Sequence, residues 1–232
     1  MLQAINLTKR YQNHIALNNL NLTVNRGDVF CLLGQNGAGK TTTINLFLGF
    51  IAPSGGKALI NGVLVRPNDK TTKKFLAYIP EVVMLYSNLT SIENLDFFSR
   101  LAGFTYSKEE LEHFLLSVGL PNDAFYKRLG QYSKGMRQKV GIAIAIAKNA
   151  DVLLMDEPTS GLDPMAINEF TELVKKLSSQ GKAVLIATHD LLNAVSIGTR
   201  IGIMRRGCLV HELSNGNINA NELQEVYLET IL

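Results

Sequence analysis

The chain has 232 residues, enough to bury a large core as one big domain or as a core carrying an inserted lobe. A net charge of +3 with 19% charged residues, and no block of like charges, excludes an electrostatic nucleic-acid binder and takes nucleic acid off the list of expected partners. Two cysteines, Cys31 and Cys208, make no disulfide framework and read as reduced thiols of a cytosolic protein. The start, Met1-Leu2-Gln3-Ala4-Ile5, lacks a basic stretch followed by an apolar run, and no apolar segment nears the roughly 18 residues of a bilayer span. Any membrane role is therefore expected to come through a partner.

Residues 2 to 11 and 15 to 24 alternate apolar with polar side chains, as in Ile15, Leu17, Leu20, Leu22 and Val24, and predict two strands of a half-exposed antiparallel ribbon. Val29 to Leu33 is continuously apolar and predicts a buried strand. Gly34-Gln35-Asn36-Gly37-Ala38-Gly39-Lys40-Thr41 follows at once, a complete G-x-x-x-x-G-K-T phosphate loop, and Thr42 to Phe50 has helical character. Gly55-Gly56 and Asn61-Gly62 bracket a short strand from Lys57 to Ile60, and Phe75 to Ile79 reads as a buried strand ending at Pro80.

The pattern then turns helical. Ser91-x-Glu93-Asn94-Leu95 opens one helix, the capping box Ser107-x-x-Glu110 a second, and Ser133 a long third. Residues 82 to 150 are read as a helical lobe inserted into an α/β core made of residues 1 to 81 and 151 to 232. Val152 to Met155, Val184 to Thr188 and Ile201 to Met204 are predicted strands that alternate with helices and imply a parallel sheet.

The loop residues Gly34, Asn36, Gly37, Ala38 and Gly39 wrap a polyphosphate so closely that their N–H groups point inward. Lys40 reaches the β- and γ-phosphates, Thr41 sets its hydroxyl on Mg²⁺, and the helix opened by Thr42 brings the positive end of its dipole beneath the phosphates. A nucleoside triphosphate is the expected ligand. Asp156 and Glu157 end an apolar strand at the sheet edge where α/β folds bind ligands, so Asp156 is read as holding Mg²⁺, directly or through water, and Glu157 as the general base. His189, at the end of another strand on that edge, has two readings, a hydrogen bond to the γ-phosphate or a structural histidine. Ser133 and Gly135 open a helix whose body, Val140 to Ala147, is apolar all round and must be buried. Its start reads either as an ordinary capped helix or as a second anion site serving a nucleotide held by another molecule.

In this order the motifs resemble those of the nucleotide-binding subunit of ABC transporters over essentially the whole chain. Gly34 to Thr41 is similar to that family's Walker A loop, Val152 to Asp156 to its Walker B strand with Glu157 as catalytic glutamate, and Tyr132 to Met136 to its signature motif. Ser160-Gly161-Leu162-Asp163 resembles the D-loop, His189 the switch histidine and Tyr11 the aromatic that stacks on adenine. Met136 stands where the signature usually ends in glutamine, and Glu81 where the Q-loop glutamine is usual; with Leu223 to Leu228 these variants resemble the ABC-2 type exporter ATPases.

The resemblance implies an α/β fold, a P-loop NTPase core with a mixed, mainly parallel sheet, an N-terminal antiparallel β subdomain and an inserted α-helical lobe. It also implies ATP and Mg²⁺ as cofactors, with Thr41, Glu81 and Asp156 toward the metal and Asp163 toward the nucleotide. The partners would be a second ATPase subunit, identical or a paralogue, and a membrane permease subunit reached through Glu81 to Tyr86. The apolar run Val82 to Tyr86 by itself is either buried strand continuation or part of a groove for a partner's helix. The implied activity is ATP hydrolysis driving export from the cytoplasmic side of the membrane. The rival is a soluble ABC ATPase acting on ribosomes or DNA.

Overall fold

The structure, a computed structural model, describes every residue except Asn215, Asn217 and Leu232, and of Ile231 the backbone alone. The N-terminal alternation folds as expected: β1 (Leu2–Tyr11) and β2 (His14–Val24) pair antiparallel from Leu2↔Val24 to Tyr11↔His14. After β3 (Val29–Gly34), the strands β4 (Gly55–Ile60) and β5 (Val63–Leu64) complete a four-stranded sheet in the order β2-β1-β4-β5.

A second, six-stranded sheet contains β3 with β6 (Leu76–Ile79), β7 (Val152–Asp156), β8 (Ala183–Thr188), β9 (Arg200–Arg205) and β10 (Cys208–Ser214), in the order β10-β9-β3-β8-β7-β6. Every neighbouring pair in it is parallel except β10 against β9, which is antiparallel. The sheet is thus mixed and mainly parallel, as expected. Three consecutive residues of β10, Val210, His211 and Glu212, are exposed, so no apolar period marks the strand in the sequence.

The central strands are apolar throughout because both faces are covered. Phe30 and Leu32 of β3, with Val152 and Leu154 of β7, face a core shared with the smaller sheet, whereas Val29, Cys31 and Leu33, with Leu153 and Met155, face the helices on the other side. Replacing Phe30, fully buried, with alanine would open a cavity costing about 3 to 5 kcal/mol. Burial pushes the Cys31 thiol up to about 12, and both cysteines are free.

The helix after the phosphate loop, α1 (Lys40–Phe47), packs Ile44, Leu46 and Phe47 into the core beside the smaller sheet. It starts two residues earlier and ends three earlier than expected. Phe75 belongs to a 3₁₀ turn rather than to β6.

Three helices, α2 (Ser91–Leu101), α3 (Lys108–Ser117) and α4 (Lys134–Ala147), pack on one another and on the far face of the large sheet. α2 opens at Ser91 as expected, and its capping box is Thr90–Glu93, with the Thr90 N–H donating to Glu93 Oε2 at 2.8 Å. For α3 it is Ser107–Glu110 as expected. No residue from Val140 to Ala147 is exposed.

The segment from Val82 to Tyr86 is irregular, which removes the strand reading: Val83 and Leu85 pack on the core while Val82, Met84 and Tyr86 face outward. The chain continues through α5 (Pro164–Ser179), α6 (Leu191–Ile197) and α7 (Ala220–Ile231). Among the described residues no helix is long and apolar enough to cross a membrane.

Candidate functional site

The ends of β3 and β7 and the start of α1 converge on a cavity of about 410 Å³. Asn36, Gly37, Gly39, Lys40, Thr41 and Thr42 line it from the loop, Tyr11 from the end of β1, and Glu81, Asp156 and Glu157 from the sheet side. Gly34 and Ala38 are loop residues behind it. The Gly34 carbonyl accepts a hydrogen bond from Lys40 Nζ at 2.6 Å, and Ala38 is buried. Gly39 adopts φ 109°, and a Cβ there would lie 2.7 Å from the Ala16 carbonyl oxygen, so no larger residue fits the turn into α1. The first N–H groups of α1 have no acceptor inside the helix and are available to an anion.

Lys40 is buried, and a second carbonyl, that of Gln35, accepts from it at 3.3 Å. Its Nζ lies 3.7 Å from Glu157 Oε1. The other carboxylate oxygen, Oε2, is 2.9 Å from His189 Nδ1 and accepts from the Thr188 hydroxyl at 3.2 Å and the His189 N–H at 3.4 Å. Glu157 holds φ 45°, a left-handed conformation that a non-glycine residue keeps only where its surroundings impose it. Its own N–H donates to the Ala187 carbonyl at 2.8 Å, which fixes that geometry. Sequence reasoning had no role for Thr188. Its signal was position, one residue before His189 on a strand ending at the same edge.

Burial lifts the Asp156 carboxyl above the ordinary Asp range against the hydrogen bond donated by the Thr41 hydroxyl, with the charge of Glu157 adding to the rise and that of Glu81 contributing least. Among the described residues no group of three or more His, Cys, Asp or Glu side chains gathers as a metal cage. A hydroxyl and one carboxylate, both hard oxygen donors, fit a Mg²⁺ that draws its remaining ligands from phosphates and water. Glu81 lies apart from this pair. Its Oε1 accepts from the Ser160 hydroxyl at 2.8 Å and lies 3.9 Å from Lys134 Nζ.

Ser133, Gly135 and Asp163 belong to a second cavity, of about 160 Å³, between the starts of α4 and α5. Ser133 and Asp163 are the N-caps of those helices, accepting from the N–H groups of Met136 at 3.2 Å and Ala166 at 2.9 Å. A Cβ on Gly135 would lie 3.3 Å from Ala166 Cβ, so this glycine lets the two helix starts approach. Gln138, a buried polar residue in the first half of α4, links the two regions through Nε2, which donates to the carbonyl of Pro158, the residue after Glu157. It too lacked a predicted role, since it lies between Arg137 and Lys139 in the polar opening of the helix.

A phosphate loop between a buried parallel strand and a helix, with an acid pair at the end of a strand two places away in the sheet, defines a P-loop nucleotide-binding protein. The chain belongs to the ABC transporter family, whose match spans residues 17–160, and within it is an ATP-binding component. The bacitracin transport ATP-binding protein BcrA of Bacillus licheniformis is 36% identical over 214 residues, which cover 92% of this chain and 69% of BcrA. Among solved structures, an ATP-binding subunit of an ABC transporter is 31% identical with a TM-score of 0.83, covering 99% of this chain and 98% of that one. A dimeric ATP-binding cassette in a post-hydrolysis state, bound to ADP and Pi, is 28% identical with a TM-score of 0.82, covering 93% of this chain and 99% of that one.

Proposed function

We propose that this chain is the ATP-hydrolysing subunit of a membrane exporter, with Glu157 as general base. The observation that carries the reading is the Glu157 carboxylate itself, held on one oxygen by Thr188 and His189 and facing Lys40 with the other. A polyphosphate entering the cavity competes for Lys40, and the carboxylate, released from that ion pair, turns to accept a proton from the attacking water. His189 positions the base and is itself within reach of a terminal phosphate. Thr41 and Asp156, with Glu81, would hold Mg²⁺, which would supply positive charge to the transferring phosphoryl oxygens. Tyr11, 44% exposed at the end of β1, offers a ring face to the adenine.

The cavity of Ser133, Gly135 and Asp163 has no Lys40 of its own, and it serves the nucleotide of a second ATPase subunit, identical or a paralogue. The solved dimer of a related cassette supports this arrangement. Residues 82 to 150 act as a helical lobe on the core. Its outward side chains Val82, Met84 and Tyr86, continued by Phe97 and Leu101 of α2, receive an apolar helix of a permease subunit. The chain then works at the cytoplasmic face of the membrane without entering it. An exposed apolar surface beside the lobe, with no basic stripe, disfavours the alternative of a ribosome- or DNA-directed ATPase.

Glu157→Gln tests the assignment. ATP binding is expected to persist while turnover falls by roughly 10² to 10⁴ fold, the usual contribution of a positioned base. Near-normal turnover of the purified variant overturns it.

A further inference from the structure

Among the described residues, two arginines beside the phosphate loop have no partner. β9 ends at Arg205 and β10 begins at Cys208, and these residues pair across the turn Arg206–Gly207. Arg206 has φ 48° and Gly207 φ 81°, the left-handed pair of a tight hairpin turn. Glycine suits its place, since a Cβ there would lie 2.9 Å from the Ala16 carbonyl oxygen. The place of Arg206 ordinarily goes to Asn, Asp or Gly, and an arginine there raises the backbone energy.

That cost is not offset by a polar contact among the described residues. Among the described residues neither guanidinium has a hydrogen-bond or ion-pair partner, in contrast to Arg200 on the same strand, which is held by Asp28 and Glu212. The turn is nevertheless fixed in place. The Gly207 N–H donates to the Ala38 carbonyl at 2.9 Å, and the Asn18 N–H donates to the Gly207 carbonyl at 2.8 Å. Both arginines line a cavity of about 170 Å³ whose opposite wall is Gln35, Asn36 and Gly37. Those three loop residues also line the Lys40 cavity, so the two spaces lie on either side of the loop crest.

We propose that Arg205 and Arg206, with the outer edge of the phosphate loop, form a second oxyanion site that takes a phosphate group. Guanidinium is permanently charged, and its planar fork matches two phosphate oxygens at once. The site stands on this geometry alone. Only the origin of its occupant rests on the proposed ATPase reading, by which orthophosphate leaving the Lys40 cavity across the loop crest meets the two arginines.

The test is a titration of the full chain, loaded with ADP, with inorganic phosphate, followed by calorimetry and phosphorus NMR. One saturable phosphate per chain is expected in addition to the nucleotide. Arg205→Gln or Arg206→Gln should weaken it roughly ten- to a hundredfold, the loss of a charge-assisted pair. Arg206→Asn separates binding from folding: asparagine suits the left-handed turn, so this variant should melt no lower than the parent while losing phosphate. Lys40→Ala, titrated without nucleotide, should keep the site.

No saturable binding to the ADP-loaded chain, or binding indifferent to both arginines, overturns the proposal. Loss of the phosphate in Lys40→Ala does so too, by returning it to the Lys40 cavity and leaving the ATPase reading intact. Absence of turnover with phosphate binding preserved would sink the ATPase reading alone. Flotation with phosphatidylglycerol and phosphatidylcholine vesicles separates the sources. Phosphatidylglycerol binding that phosphate competes away and the double arginine variant loses assigns a lipid headgroup to the site, and equal behaviour of the two vesicles assigns the free ion.

Discussion

The Lys40 cavity and the Ser133 cavity are both built at helix starts, yet they differ in how charge is arranged in them. In the first, Lys40, Glu157 and His189 form one connected line, and Asp156 lies beside it with its pKa raised by burial. In the second, the capping side chains of Ser133 and Asp163 are satisfied by their own helices, and the walls are largely apolar, with the Lys139–Glu169 ion pair among them. On the proposed reading, one space carries the acid-base chemistry and the other the dipole and close packing, and a second molecule would complete the catalytic centre by bringing its Ser133 cavity to the Lys40 cavity.

The largest expected effect breaks that division of labour. Ser133→Arg should leave ATP binding by the single chain unchanged and abolish dimer formation and turnover. Mixing it with Lys40→Ala chains should restore at most one composite site per heterodimer. Full activity of Ser133→Arg at concentrations too low for dimers would place both cavities in one molecule's cycle.

Lys40→Ala acts on the charged space only. It removes charge-assisted contacts worth roughly 1.5 to 3 kcal/mol each, so ATP affinity measured by calorimetry should fall by one to two orders of magnitude. Unchanged affinity would contradict the loop assignment.

A subtler break concerns Glu81, which touches residues of both regions through Ser160 and Lys134. Because its side chain is about half exposed, at 52%, its loss should cost the fold little. Glu81→Gln should be tolerated for hydrolysis by the isolated chain, while Glu81→Ala should lower transport per ATP in the complex with the permease. Transport at the parental rate per ATP in Glu81→Ala would remove the coupling role.

The smallest effect is on stability. Burial raises the Asp156 pKa in the folded chain, so the folded state binds this proton more tightly than the unfolded one. Stability from this group is therefore present below the ordinary Asp range and is lost as pH rises from there through the raised value. Asp156→Asn should flatten that slope, leaving the ligand-free chain as stable or slightly more stable at neutral pH while weakening nucleotide and cation binding. Thermal melts of both chains across pH check this, and an unchanged slope would show that Asp156 titrates normally.

What the sequence determined by itself was local and periodic. The glycines and Lys40 of the phosphate loop are contiguous, the central strands are apolar because both faces are buried, and the capping box at Ser107–Glu110 spans a single helical turn. Each is legible because its physical cause acts within a few residues. Tertiary structure decided the rest. Exposed β10 has no apolar period, and Val82 to Tyr86 is half packed rather than buried. Only folding brings Thr188 and His189 onto Glu157, 31 and 32 residues away in sequence, and Ser160 onto Glu81, 79 residues away. Those contacts arise because crossover connections set β7 between β6 and β8 in the large sheet, adjacencies that depend on the packing of the whole core and that no short stretch of sequence encodes.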